Sequence, residues 1–230
     1  MSLQFIMGNS GSGKSYCLYD TVVREAIENP DKNYLVIVPE QFTMQTQKDL
    51  CLAHPKGGIM NIDVLSFGRL AYRVFEEVGQ DARVVLDDEG KNLVLRKIAG
   101  ECEKDLKVFK GNLKKQGYIS EVKSVLSEFA QYGVDFERLD DFMKEVPPES
   151  YLHYKLDDIR TIYEKFEEYL SEKYITKEEM LDVLSDAVPY SDILKGSVVA
   201  MDGFTGFTPV QNRLIGELFS VCEKVMITVT

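Results

Sequence analysis

Tryptophan is absent from the 230 residues, histidine occurs only twice, and no apolar run approaches the roughly 20 residues that span a bilayer. The longest apolar stretches are five to seven residues, so a membrane role has no support. Cys17, Cys51, Cys102 and Cys222 form no C-x-x-C pair, and none stands at metal-ligand spacing from His54 or His153. No metal site of the cysteine–histidine type is signalled, and free thiols suit a reducing compartment. The opening MSLQFIMGNS lacks the positive region and apolar run of a secretory signal, which makes cytoplasm the expected location. Basic residues are also in deficit, 27 against 38 acids for a net charge of −11, which argues against a uniformly basic nucleic-acid module and leaves room only for a local groove.

What is present is a foldable core. With 44% hydrophobic content, a chain of this length can bury about 70% or more of its unfolded surface without disulfides or metals. Five short runs read as buried strands: Leu3–Met7, Tyr34–Val38, Ile59–Leu65, Ser197–Met201 and Lys224–Val229. Helical patterns follow at Lys14–Glu28, Gln41–Leu52, Ser66–Val78 and Pro209–Ser220. Strand–helix alternation requires crossover connections, hence an α/β fold with a mainly parallel sheet and helices on both faces. Between Asp81 and Leu194 the sequence turns charged and helical, with breaks around Gly111, Gly117, Gly133 and Pro147-Pro148 and no convincing strand. The spacing of Leu152, Leu156, Ile159, Tyr163, Phe166 and Leu170 predicts one long amphipathic helix whose stripe is a core face. The expected organisation is therefore a core of residues 1–80 and 195–230 interrupted by an all-helical insertion, 81–194.

Gly8-Asn9-Ser10-Gly11-Ser12-Gly13-Lys14-Ser15 fits G-x-x-x-x-G-K-[ST] at every fixed position and lies between an expected strand and an expected helix. Glycines let successive N–H groups turn toward a phosphate, a lysine neutralises the β- and γ-phosphates, and the final hydroxyl reaches Mg²⁺. The start of the helix adds the positive end of its dipole. ATP and Mg²⁺ are thus the expected ligands. A second Mg²⁺ contact is expected at Asp202, after the apolar run Val198-Val199-Ala200-Met201; the alternative is a turn or helix-capping aspartate. No catalytic residue is assigned, because Gly203 occupies the usual position of the base, and water activation typically contributes about 10²–10⁴ in rate.

These residues carry a resemblance. Asp202-Gly203-Phe204-Thr205-Gly206-Phe207-Thr208-Pro209-Val210-Gln211 resembles the D-E-F-Q-D-T-x-x-x-Q segment of superfamily 1 helicases of the UvrD and RecB kind, with glycine in place of the glutamate. Val38-Pro39-Glu40-Gln41-Phe42-Thr43, after the second expected strand, resembles their motif Ia, which contacts single-stranded DNA. Leu65-Ser66-Phe67-Gly68-Arg69-Leu70-Ala71 resembles their T-x-H-S-F-x-x-x-L segment without its histidine. More narrowly, the combination is similar to the amino-terminal region of the B subunits of AddAB-type helicase–nucleases, complexes that process double-strand breaks for homologous recombination.

The resemblance implies a RecA-like P-loop domain (1A-like) interrupted by a helical 1B-like insertion, as a fragment of a much longer subunit whose carboxy-terminal nuclease part carries an iron–sulfur cluster. It implies that Gln211 senses the γ-phosphate, and that the motor is degenerate and scans DNA for the signal Chi while an AddA-type partner translocates. DNA-contact candidates, at strand carboxyl ends, are Gln41, Phe42, Thr43, Gln45, Ser66, Phe67 and Arg69. Phe42 and Phe67 have an alternative as helix-start packing residues. Two other functions compete. A small-molecule kinase would need an arginine-bearing lid, and the insertion offers only the dispersed Arg83, Arg96, Arg138 and Arg160. A vestigial-loop interaction module would bind no nucleotide.

Overall fold

The β-branched runs near both ends of the sequence pair with one another, each strand returning to the sheet through a helix. The computed structural model describes residues 2–79, 83–112, 115–171 and 173–229. It divides into two compact units, Met1–Asp81 with Leu181–Thr230, and Ala82–Met180. The expected first boundary, at residues 80 and 81, lies outside the described residues.

In the first unit, β1 (Ser2–Met7), β2 (Tyr34–Ile37), β3 (Ile62–Leu65), β6 (Val198–Met201) and β7 (Lys224–Val229) make one sheet in the order β1-β7-β6-β2-β3. Every neighbouring pair is parallel. The crossovers are α1 (Lys14–Glu28), a 3₁₀ turn at Glu40–Phe42 running into α2 (Thr43–Ala53), α3 (Phe67–Val78) and α9 (Pro209–Val221). The central strands β2 and β6 are buried throughout, as their unbroken apolar runs require. On one face Tyr34, Val36, Val198, Ala200 and Met226 pack with Leu18, Val22 and Ala26 of α1 and Leu50 of α2. Each large side chain closed off there contributes about 1.5–3 kcal/mol.

Two strand expectations change. β1 is an edge strand, so Leu3, Phe5 and Met7 stay exposed instead of buried. β3 begins at Ile62, because the Asn61 amide lies 3.1–3.2 Å from the carbonyls of Ala26, Asn29 and Lys32 and ties the approach as a loop.

The segment from Leu181 to Leu194 also belongs to the first unit. Leu184, Ala187, Val188 and Leu194 are fully buried, and Glu77 accepts the Ser191 hydroxyl at 2.5 Å and the Ile193 N–H at 2.9 Å. Helix α8 (Glu179–Ala187) spans the boundary, and its Asp182 and Asp186 pair with Arg213 of α9.

The second unit contains α4 (Asp88–Cys102), α5 (Gln116–Tyr132), α6 (Phe136–Glu145) and α7 (Tyr151–Leu170). It is not all-helical. Val84–Leu86 (β4) and Tyr174–Thr176 (β5) pair in parallel, strands of three residues that are too short to show a period. Gly117 lies inside α5 and breaks nothing, whereas Gly133 ends that helix. Leu95 and Ile98 of α4, Ile119 and Val122 of α5, and Ile159, Ile162 and Phe166 of α7 form the core. Leu152, expected on that stripe, is exposed in the first turn. Asp158 is buried on α7 and accepts the backbone N–H groups of Lys107, Val108 and Phe109 at 2.7–2.8 Å. No helix among the described residues is long and apolar enough to cross a membrane.

Candidate functional site

Because all sheet neighbours are parallel, Gly8, Pro39, Ser66 and Asp202 emerge at the same end of the sheet, the carboxyl ends where open α/β sheets hold ligands. The Gly8–Ser15 loop leaves β1 there. Gly11 and Gly13 adopt φ of 77° and 85°, conformations that let the chain reverse and enter α1 at Lys14. No side chain caps α1 and its first turn has no acid, so its leading N–H groups face no competing anion of their own. The Lys14 ammonium donates to the carbonyl oxygens of Gly8 at 2.6 Å and Asn9 at 2.9 Å, folding back over the loop. Ser15 is exposed. N–H groups, a lysine and a hydroxyl form a donor set suited to an anionic oxygen cluster.

Asp202 extends β6 by one residue, its N–H donating to Ile37 O at 3.1 Å. Asp202 is 6% exposed, and its carboxylate accepts the hydroxyls of Tyr19 at 2.7 Å and Thr228 at 2.6 Å. Alternation explains this: Val198 and Ala200 face α1, so the next residue on that side is Asp202. Thr228 stands opposite it, one step past the Met201–Ile227 pair. Burial raises the Tyr19 phenol above its ordinary range, as does its bond to Asp202, which keeps it a donor. Gly203 follows with φ of 78°, against Pro39 and Phe42. An L-residue is strained there, so the missing glutamate is matched by a backbone shaped for glycine.

Gln211 is the N3 residue of α9, its amide oxygen accepting the Thr208 N–H at 3.0 Å in a capping box. Of the DNA-contact candidates, Gln41 is exposed and Phe42 about half-exposed. Thr43 is buried, with its hydroxyl on Glu40 O at 2.9 Å. Gln45 donates to Asp49 at 2.7 Å. Ser66 is the buried N-cap of α3, and Phe67 packs its ring 5.3 Å from Phe204, itself 5.1 Å from Phe207.

The loops after β2 and β3 are joined by Glu40, which accepts the Ser66 hydroxyl and pairs with Arg69 at 3.3 Å. Glu40, Phe204, Phe207, Tyr19 and Thr228 are therefore site residues that sequence reasoning did not single out. Strand alternation could have found Thr228, and a one-turn step along the buried side of α1 could have found Tyr19. Nothing local couples Glu40 to Ser66, 26 residues away.

A family model described as "ADDB, N-terminal" matches residues 5–230. The chain is 47% identical over 230 residues to the B subunit of the ATP-dependent helicase/deoxyribonuclease of Lachnoclostridium phytofermentans, covering 100% of this chain and 20% of that protein. It is 37% identical over 230 residues to the protein of the same name from Clostridium tetani, covering 99% of this chain and 20% of that one. With the counterpart from Thermoanaerobacter sp. the identity is 37% over 232 residues, covering 100% of this chain and 20% of the relative. The chain spans about a fifth of the length of these curated relatives. Matched over nearly all its residues, the chain belongs to the ADDB N-terminal family.

Proposed function

We propose that the first unit is a RecA-like P-loop domain in which Gly8–Ser15 holds the phosphates of ATP, serving as the nucleotide-binding part of the B subunit in a helicase–deoxyribonuclease. The observation that carries this reading is the strand–loop–helix arrangement: positive-φ glycines, an uncapped α1 and Lys14 poised over the loop. Lys14 would exchange its two carbonyl partners for phosphate oxygens, a charge-assisted and stronger pairing. The Ser15 hydroxyl is the group of the loop that a Mg²⁺ bound with the nucleotide would meet. Gln211 would reach a γ-phosphate through its amide nitrogen, since its oxygen serves the capping box.

Turnover is not expected of these residues, because Gly203 offers no base. The unit would then act as a degenerate motor within break repair, contributing to DNA and Chi recognition beside a translocating AddA-type partner. The names of the relatives, all B subunits of an ATP-dependent helicase/deoxyribonuclease, support the heterodimer and DNA as partners. No residue of this chain is proposed to hold an iron–sulfur cluster. Single-stranded DNA would pass the exposed Gln41 and Phe42 and the Arg69 side chain.

The experiment is an equilibrium titration of a fluorescent ATP analogue against the wild type and Lys14→Ala. A loss of about tenfold or more in the variant supports the reading. Equal affinities would remove it. Steady-state ATPase should stay near background with or without single-stranded DNA.

A further inference from the structure

The two oxygens of Asp202 are claimed from opposite sides. Tyr19 reaches one from α1 and Thr228 the other from β7, at 2.7 and 2.6 Å. Tyr19 lies in turn 3.3 Å from the hydroxyl of Thr46 on α2, so hydroxyls link α2, α1, β6 and β7 through one carboxylate. Bonds of this kind to an ionised acceptor are about twice as strong as neutral ones. Asp202 and Thr228 are both 6% exposed, and Thr46 is 4% exposed.

A Mg²⁺ contact needs the opposite arrangement. Mg²⁺ keeps several waters and takes carboxylates that are open to it and its hydration shell. Among the described residues no hydrogen bond joins Ser15 to Asp202. Swinging the carboxylate toward Ser15 would break both of these short charge-assisted bonds, leaving Tyr19 only its 3.3 Å contact with Thr46 and Thr228 only the Met201 carbonyl at 3.5 Å. The residues present do not fit a metal contact through Asp202.

We infer that Tyr19 and Thr228 commit Asp202 to fastening α1 onto the sheet, so that a triphosphate held by Gly8–Ser15 binds with little dependence on a divalent cation. Lys14 and the leading N–H groups of α1 supply the positive field instead. Tyr19 is then a positioning residue, one that holds the carboxylate away from a metal. This inference rests on the nucleotide reading above.

The test titrates a fluorescent, non-hydrolysable ATP analogue against wild type, Tyr19→Phe and Asp202→Asn, in excess Mg²⁺ and in EDTA. Wild-type affinities in the two buffers should agree within about threefold, and Asp202→Asn should keep that ratio. Tyr19→Phe, which frees one oxygen, should shift the ratio severalfold toward Mg²⁺. Binding tightened about tenfold or more by Mg²⁺ in the wild type, with the gain lost in Asp202→Asn, would overturn the inference alone. Absence of binding in both buffers would overturn the nucleotide reading and this inference with it. Should Asp202→Asn fail to fold, the wild type and Tyr19→Phe decide: no wild-type gain from Mg²⁺ beyond about threefold is expected, and a gain of about tenfold or more that Tyr19→Phe leaves unchanged would contradict it.

Discussion

Arg69 Nε lies 3.3 Å from the Glu40 carboxylate, tying the loop after β3 to the loop after β2. Both side chains are more than half exposed, so the pair adds little to stability and mainly holds the guanidinium neutralised. Glu40→Gln should therefore raise single-stranded DNA affinity by about threefold at low salt and steepen the slope of log affinity against log salt by about 0.7. Fluorescence anisotropy across a salt series checks this. An unchanged slope would remove Arg69 from the DNA path.

Gly203→Glu restores the residue type of active motors but not a usable site. Its φ of 78° makes a side chain there cost roughly 1–2 kcal/mol. Urea unfolding should show that loss, and ATPase should remain near background. A DNA-stimulated turnover of the variant would contradict the reading of this backbone.

In the second unit, Asp158 satisfies three consecutive backbone donors at 2.7–2.8 Å. Asp158→Ala leaves them unpaired beside the buried Phe109, an expected loss of about 3 kcal/mol or more. Asp158→Asn, which retains an acceptor, should lose less. Chemical unfolding of the three proteins distinguishes them, and equal stabilities would refute the anchoring role.

Glu167 carries a pH dependence. Burial, then the charge of Glu179 and a hydrogen bond to it, push its carboxyl up to about 7. The folded state thus keeps a proton that the unfolded state has released, so its stabilising contribution is complete below the unfolded value of 4.5 and fades as pH rises through about 7. The change is on the order of 2–3 kcal/mol. Glu167→Gln should flatten this part of the profile and exceed the wild type in stability above pH 7. Thermal unfolding at fixed ionic strength from mildly acidic to mildly alkaline pH measures it.

Much of the sheet is legible in the chain because each central strand is an unbroken apolar run followed by a helical period. Lys14–Glu28 is recovered with the same ends, and Pro209–Ser220 to within one residue. What is not legible is the outcome of pairing at a distance. The exposure of Phe5 follows from β1 lying at the sheet edge, and strand order is a property of the whole sheet. The β4–β5 ribbon joins three-residue segments that have no period to detect. At the site, the loop and Asp202 are visible as local patterns. The partners of Asp202, Tyr19 and Thr228, lie 183 and 26 residues from it, and only the fold brings them together.

Whether Gly8–Ser15 cradles phosphates is decided by a crystal structure with a bound non-hydrolysable ATP analogue. The predicted result is Lys14 Nζ moved off the carbonyls of Gly8 and Asn9 onto phosphate oxygens, with the leading N–H groups of α1 turned to the same phosphates. A nucleotide bound elsewhere, with Lys14 still on those two carbonyls, would contradict it.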